Sequence, residues 1–404
     1  MKKVLVLFVL TAFSLMAFLS CKTKKDSGFV SFEEVTGEYV ENYLMEEVLK
    51  HDEYDEELYL KPYWKGGMMY NETCLAVGET DSMPLLHDAE EIISVTSYDL
   101  KTTYEEGKDY LFDHKSNSIK RLAGSRMPYY SLYEYYPKSG ESNAFSCARS
   151  DKDFILFGEG DTMTSHQIAV TYRFSRYHVL APKSSVEATS NTRTKLESNE
   201  EMTLLFYGDS ITVGANSSGF IGVEPNAPIY PQMVFNAITK KYGATKARYV
   251  NTAVGGWSSQ HGVDSFTSCV LNYHPDMLFL AFGMNDGGLG LVKHVENTKQ
   301  MIETAWEQNP DMDICLIATM LPNQEVTNFF TFQNQILGRY ESLVEEYAET
   351  GKTNMCIAPV TTIHEQMLGR KRYFDMTGNN VNHPNDFFAR AYAQTILKSA
   401  FGIE

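Results

Sequence analysis

Residues 204–214 read Leu-Leu-Phe-Tyr-Gly-Asp-Ser-Ile-Thr-Val-Gly, and this stretch decides the fold of the second half of the chain. The apolar run 204–207 is typical of a buried strand, and Gly208 predicts a turn immediately after it. Ser210 then stands at the start of the next predicted helix, where backbone N–H groups favour negative charge. This arrangement suits a serine nucleophile whose attack creates an oxyanion. Alone, however, Gly-Asp-Ser more often marks an ordinary helix N-cap.

Apolar runs and helical stretches alternate on both sides of this segment, from Met202 to the end of the chain. The strand-like runs occupy 203–207, 247–251, 277–282, 313–319 and 354–358, and the helical stretches occupy 231–241, 292–308 and 333–349. Such alternation predicts βαβ crossovers and a parallel sheet covered by helices on both faces, an α/β fold. In an open sheet of this kind the active site lies at the carboxyl ends of the strands.

Three further motifs follow the predicted strands. Asn-Thr-Ala-Val-Gly-Gly-Trp occupies 251–257, Gly-Met-Asn-Asp occupies 283–286, and Asn-His-Pro-Asn-Asp occupies 382–386. In this order, and together with Gly-Asp-Ser-Ile-Thr at 208–212, they resemble the SGNH hydrolase family, a branch of the GDSL esterases. The resemblance covers residues 202–404 and implies a flavodoxin-like α/β/α domain at 201–404.

The resemblance also implies catalytic roles. Ser210 would attack an ester carbonyl, and His383 would act as general base and then as general acid. The backbone N–H groups of Ser210 and Gly256 and the side-chain amide of Asn285 would form the oxyanion hole. Asp209 would hold the turn as a structural partner rather than as a catalytic acid.

One position departs from the family's pattern. The family usually carries an Asp three residues before its histidine, and this chain has Asn380 there. Three interpretations stay open: a Ser-His dyad with a carbonyl orienting the histidine, a displaced carboxylate, or an inactive site. Asp375 and Asp386 are the local candidates for a displaced acid, although either could equally be a surface or helix-capping residue.

The N-terminus predicts export. Lys2 and Lys3 precede an apolar run at 4–19 that is too short for a membrane span, and Cys21 follows. Residues 1–21 resemble a bacterial lipoprotein signal, which implies that Cys21 is lipidated and that 22–30 is a tether to the periplasmic or cell-surface side of a membrane. A plain signal peptide cut near the same place is the alternative.

Residues 30–182 contain short alternating runs that are broken by turn residues. The clearest run, 167–174, places Ile168, Val170, Tyr172 and Phe174 on one face, as in a half-buried antiparallel strand. We therefore predict a β-sandwich of jelly-roll type. The polar stretch 183–200 predicts a linker, or a strand that wraps between the two domains.

Composition excludes several kinds of partner. A net charge of −17 disfavours nucleic acid, which binds basic surfaces. His261 and His274 have no carboxylate or cysteine at metal-ligand spacing, and we expect neither a metal nor another cofactor. Six cysteines are present; if Cys21 is lipidated, the remaining five form no disulfide framework, although a Cys74–Cys147 bridge is possible.

The order of a lipoprotein signal, a β-sandwich and an SGNH domain is similar to that of bacterial carbohydrate esterases that remove acetyl groups from glycans. An acylated carbohydrate is therefore the expected substrate. A lipase- or thioesterase-type carboxylesterase is the alternative among enzymes, and a non-catalytic glycan-binding lipoprotein is the alternative from another class. Nothing in the sequence predicts the oligomeric state.

Overall fold

A computed structural model describes residues 55–147 and 152–404. The predicted signal peptide, the predicted lipidation site Cys21 and the predicted tether lie outside these residues. Within the described part of the chain, none of the helices combines the length and the apolar character that crossing a bilayer requires.

The first half is a β-rich domain, as predicted, and its described residues form eight short strands. They are β1 (Met68–Leu75), β2 (Ser82–Pro84), β3 (Asp88–Ser97), β4 (Tyr110–Asp113), β5 (Ser118–Arg121), β6 (Ala144–Ser146), β7 (Phe154–Leu156) and β8 (Gln167–Arg176). They pair antiparallel in three small sheets, in the orders β1-β8-β3, β2-β5-β4 and β6-β7. Two one-turn helices, α1 (Glu56–Tyr59) and α2 (Leu132–Tyr135), flank them. Jelly-roll connectivity stays a prediction.

Strand β8 is the centre of its sheet, but it is not half-buried as predicted, because Gln167, Ala169 and Thr171 of its other face are buried as well. Its side chains at 168, 170, 172 and 174 are all buried. β8 pairs with β1 on one side and with β3 on the other. The apolar face therefore packs inward, because successive side chains of a strand point to opposite faces.

The second half contains the predicted five-stranded parallel sheet. Its strands are β9 (Met202–Gly208), β10 (Ala247–Asn251), β11 (Met277–Ala281), β12 (Asp313–Ala318) and β13 (Met355–Pro359), in the order β10-β9-β11-β12-β13. The helices of this half are α3 (Ser190–Glu197), α4 (Ser210–Val213), α5 (Ser218–Ile221), α6 (Tyr230–Tyr242), α7 (Ser259–Asp264), α8 (Phe266–Cys269), α9 (Leu291–Gln308), α10 (Gln333–Glu349), α11 (Val360–Leu368) and α12 (Asp386–Ile396). A π-helical turn, Leu397–Phe401, follows α12.

Helices cover both faces of the parallel sheet. Leu205 and Tyr207 of β9 belong to a core that includes buried residues of α9 and α10. Leu204 and Phe206 face the other way, into a core with buried residues of α6 and α12. That second core continues into the N-terminal half, where it includes Val170 and Tyr172 of β8. The two halves therefore share one hydrophobic core.

The polar stretch 183–200 is helical rather than an extended linker. Its middle forms α3, and the Thr192 N–H donates to Oδ2 of Asp313 on β12, 2.7 Å away. The Ser185 N–H donates to the carbonyl of Ser399, 2.8 Å away. The polar side chains were misleading because several of them, including Thr189 and Thr192, are buried against the second half. The exact domain boundary stays a prediction.

A third apolar cluster joins the β6–β7 hairpin to the second half. Ile155 and Leu156 of β7 pack with Tyr135 of α2 and with Val326 and Val381 from loops of the second half. Val381 lies two residues before His383. The hairpin is therefore held beside the loop that carries the predicted catalytic histidine.

Candidate active site

Ser210 lies where β9 ends and α4 begins, as the sequence predicted. Gly208 is required at this crossing, because a Cβ atom there would lie 2.4 Å from the carbonyl oxygen of Ala281 on the neighbouring strand. Asp209 caps the helix, and its Oδ1 accepts the N–H of Ile211 at 3.0 Å. The side chain of Ser210 is largely buried and is presented at the carboxyl end of the sheet.

Asp209 is part of the scaffold beneath Ser210. It is almost completely buried, and burial raises its pKa to about 7 against the hydrogen bonds from the N–H groups of Ile211 and Met284. Met284 belongs to the loop after β11, so this carboxyl ties that loop to the serine turn. This arrangement is consistent with the structural role expected for Asp209.

His383 contacts Ser210 directly. Its Nε2 atom lies 2.8 Å from the serine Oγ, although the two residues are 173 positions apart in the chain. The backbone around the histidine is fixed by Asn379, whose Oδ1 accepts the N–H groups of residues 381–383, each at 3.0 Å. If Nδ1 carries the ring proton, Nε2 is free to accept the proton of the serine hydroxyl.

Two side chains face the other ring nitrogen, and the sequence analysis identified neither. Oδ1 of Asn216 lies 2.6 Å from Nδ1 of His383, and Oε2 of Glu159 lies 3.3 Å from the same atom. The Nδ2 group of Asn216 donates to the carbonyl of Gly160 at 3.1 Å, which leaves its oxygen facing the histidine. Both Nδ1 partners are acceptors, which favours the tautomer with a proton on Nδ1.

The pKa of Glu159 is below its ordinary value. Burial opposes ionisation, but the hydrogen bond and charge of His383 outweigh it, together with the amides of Asn379 and Asn216. Oε1 of Glu159 accepts the Asn379 side-chain amide at 3.2 Å. A carboxylate is therefore ionised beside the histidine at neutral pH.

Neither local acid candidate is the partner of His383, so that expectation was wrong. Asp375 is fully buried, and its carboxylate accepts the N–H of Leu75 at 2.9 Å and pairs with Arg372 at 3.2 Å. Asp386 starts helix α12, and its Oδ1 accepts the N–H of Ser218 at 2.8 Å. Its Oδ2 has no hydrogen-bond partner among the described residues. Both carboxyls instead tie their own segments to distant parts of the chain.

Asn380 has a structural task at the position where the family usually has its acid. Its backbone is left-handed, with φ of 68°, a conformation that asparagine adopts more readily than most residues. Its Nδ2 donates to the carbonyl of Leu156 at 2.9 Å, and its Oδ1 lies 3.3 Å from the hydroxyl of Tyr135. Asn380 therefore anchors the N-terminal half beside the histidine loop.

The residues expected to bind an oxyanion lie on two loops that are tied together. Gly256 has φ of +78° on the loop after β10, and a Cβ on its neighbour Gly255 would lie 3.9 Å from Cβ of Ser210. Nδ2 of Asn285, after β11, donates to the carbonyl of Trp257 at 3.1 Å. The neighbouring Asp286 accepts the N–H of Ser259 at 3.0 Å and also binds the Ser259 hydroxyl.

The three residues that sequence reasoning missed have weak local signals. Glu159 stands between Gly158 and Gly160, just after the predicted strand at 154–157. Asn216 lies six positions after Ser210, in a stretch that carries no motif of its own. Asp286 lies inside the motif at 283–286, but its role in holding Ser259 is visible only in the folded structure. Among the described residues, no group of three metal-binding side chains is present.

A family model matches the part of the chain that carries this site. Residues 206–391 match the model of the GDSL-like lipase/acylhydrolase family, and this segment contains all four motifs. No curated protein matches the chain.

Two of the solved structures that are similar to part of the chain illustrate the match. One is a two-domain esterase (CEX) active on acetylated mannans, with 18% identity over 54% of each chain and a TM-score of 0.42. The other is a catalytic mutant of Axe2, an acetylxylan esterase from Geobacillus stearothermophilus. Its sequence is 17% identical, the match covers 49% of this chain and 93% of that chain, and the TM-score is 0.40. The chain thus spans about half the length of the two-domain esterase. Over residues 206–391 the chain is therefore similar to the GDSL-like lipase/acylhydrolase family, a family of carboxylic ester hydrolases.

Proposed function

We propose that this chain is a serine esterase that removes O-acyl groups through an acyl-enzyme on Ser210. The observation that carries the proposal is the 2.8 Å contact between Nε2 of His383 and the hydroxyl of Ser210. A nucleophile within hydrogen-bond reach of a base, itself oriented by a third group, is the arrangement that covalent acyl transfer needs.

The reaction proceeds in two halves. The Ser210 oxygen attacks the ester carbonyl while His383 takes the hydroxyl proton. The N–H groups of Ser210 and Gly256 and the Asn285 amide hold the oxyanion, and each such donor typically stabilises the transition state by about 3 kcal/mol. The intermediate then expels the alcohol, which takes the proton from His383. Water attacks the acyl-enzyme by the same route in reverse and releases the acid.

As substrate we propose an O-acetyl ester on a neutral polysaccharide or oligosaccharide. The acidic chain, with a net charge of −17, disfavours strongly anionic substrates. No stretch of the sequence resembles a long apolar lid, a feature that would indicate a long-chain lipid substrate. The resemblance to carbohydrate esterases supports the same choice.

Labelling with a fluorophosphonate probe tests the mechanism. We expect the wild type to be labelled and Ser210→Ala to be unlabelled. An unlabelled wild type, or equal labelling of the variant, would leave a non-catalytic glycan-binding protein as the better explanation.

Acetate release tests the substrate. Acetylated xylan and mannan are compared with a series of p-nitrophenyl esters of increasing acyl length. We expect acetyl esters to be the better substrates. A preference for long acyl chains would favour a lipase- or thioesterase-type carboxylesterase instead.

We also propose that the chain is exported and anchored through lipid on Cys21. The apolar run before Cys21 and the polar residues after it support this proposal. Metabolic labelling with radioactive palmitate in a bacterial host should label the wild type but not Cys21→Ser. Unlabelled wild type that is recovered in the soluble exported fraction would favour a plain signal peptide.

A further inference from the structure

We propose that Glu159, on the loop after β7 of the N-terminal half, is the carboxylate that stabilises His383 during catalysis. This inference rests on the proposed serine-esterase function. It makes Glu159 a positioning residue, because it acts through the histidine. It also makes the β-rich half part of the active site.

The charge requirement supports Glu159 over Asn216 alone. When His383 takes the serine proton, the ring becomes a cation, and a nearby negative charge stabilises it. Asn216 lies closer to Nδ1, at 2.6 Å, but an amide is neutral and can only fix the tautomer and the ring orientation. Glu159, at 3.3 Å, is the only carboxylate within ion-pairing distance of His383 among residues 55–147 and 152–404. Asn216 therefore orients the histidine ring and Glu159 supplies the negative charge, two roles that one acid has in a usual triad.

Asp209 is the other titratable carboxyl near His383, and it is a poorer candidate. Its hydrogen bonds go to the N–H groups of Ile211 and Met284, beneath the serine turn. Burial raises its pKa to about 7, so about half of it is neutral at that pH. Glu159, in contrast, has a lowered pKa and a side chain that is 46% exposed, so it stays ionised.

The loop that carries Glu159 is held in place by both halves of the chain. A Cβ on Gly158 would lie 2.5 Å from the Thr162 side chain, and Gly160 has φ of +72°, so the loop turns tightly on either side of Glu159. The carbonyl of Gly160 accepts the Asn216 amide, and Oε1 of Glu159 accepts the Asn379 amide. Asn216 and Asn379 thus bind the carboxylate loop and the histidine together.

This placement also accounts for Asn380. An Asp at that position would supply the charge from the histidine's own loop, as the family usually does. Here the side chain binds the hairpin that brings the carboxylate of Glu159 instead. The proton of Nδ1 stays on the histidine throughout, and Glu159 remains an anion that exchanges no proton with it.

Three variants of the full-length protein test the inference: Glu159→Gln, Asn216→Ala and the control Asp161→Asn. Asp161 is an exposed carboxylate on the same loop, so its variant removes the same charge without touching His383. We expect Glu159→Gln to lower kcat at least about tenfold, toward the roughly 10⁴-fold loss typical of removing a triad acid. We expect the acidic limb of its kcat/KM profile to move to lower pH, with KM and thermal unfolding unchanged. Asn216→Ala should lower kcat without moving that limb, and Asp161→Asn should match the wild type.

Other results would overturn the inference. If Glu159→Gln stays within threefold of the wild type with an unmoved acidic limb, the site is a dyad oriented by Asn216. If Asp161→Asn shifts the limb as much as Glu159→Gln, the effect is general surface charge. Failure of the esterase proposal is distinct, since the wild type itself would then escape the fluorophosphonate probe.

Discussion

Asn380 donates its side-chain amide to the main-chain carbonyl of Leu156, 2.9 Å away, across the boundary between the two halves. Both residues are buried, and the carbonyl of Asn380 in turn accepts the Asn323 amide at 2.8 Å. The position where the family usually has an acid is therefore occupied by a donor that the fold needs.

The variant Asn380→Asp should not restore a triad. An aspartate would place a carboxylate against the Leu156 carbonyl and remove the donor, which costs about 1–3 kcal/mol for a buried unsatisfied group. We expect a lower free energy of unfolding in urea and a kcat at or below that of the wild type. A gain in kcat would show that the family's geometry is still accessible and would weaken the assignment of Glu159.

Asp386→Asn should leave catalysis almost unchanged. Its Oδ1 caps the N–H of Ser218, an acceptor role that an amide oxygen can keep, and burial raises the pKa of this carboxyl. We expect kcat within threefold of the wild type and a free energy of unfolding within about 1 kcal/mol, as for an acceptor that is conserved. A hundredfold fall in kcat with normal stability would make Asp386 a candidate catalytic acid again.

Asp209→Asn should change the pH dependence of stability. The pKa of Asp209 is about 7 in the folded protein against an ordinary value of 3.8, so the folded state binds the extra proton between these pH values. This carboxyl therefore stabilises the fold less as pH rises from about 4 to about 7. Asparagine stays neutral, so the variant should gain stability relative to the wild type by about 1.4 kcal/mol per pH unit in that window.

Urea unfolding at several pH values measures this difference. The exposed Asp311→Asn is the matched control, and its curve should run parallel to that of the wild type. Parallel curves for Asp209→Asn as well would mean that Asp209 is ionised in the folded protein at all these pH values.

Asp286→Ala should weaken the oxyanion site without touching Ser210 or His383. The carboxylate holds the N–H and hydroxyl of Ser259, which fixes the loop of Gly256 against the loop of Asn285. Displacing oxyanion donors should lower kcat about 10- to 100-fold, less than the 10²–10³-fold typical of deleting one. Asp286→Asn retains an acceptor oxygen and should recover most of the activity. Equal losses in both variants would point to charge rather than to loop position.

The sequence predicted the second half closely because its signals are local. Each of the five apolar runs became a strand within one or two residues of its predicted bounds, and the helices at 291–308 and 333–349 match the periodic stretches. Buried parallel strands are continuous apolar runs, and their motifs follow directly at strand ends. Ser210 and His383, whose roles the family resemblance implied, are brought together by the structure.

The third member of the site was beyond reach for a physical reason. Glu159 is 224 positions from His383 and belongs to another half of the chain, so no spacing rule connects them. Asp375 and Asp386 are near His383 in the sequence, and proximity along the chain predicts only local candidates of this kind. Packing of the β6–β7 hairpin on Val381 places Glu159 beside His383. Such tertiary contacts leave no periodic pattern in the sequence.

The apolar contact between the hairpin and Val381 has a consequence for inhibition. A compound that bound between Leu156 and the histidine loop would move the Glu159 carboxylate away from His383. It would leave Ser210, Gly256 and Asn285 in place. The enzyme would still bind its substrate and yet turn it over slowly. Such a compound would not need to resemble an ester. It would be selective for hydrolase domains that pack against a β-rich half in this way, because its binding surface is the contact between the two halves.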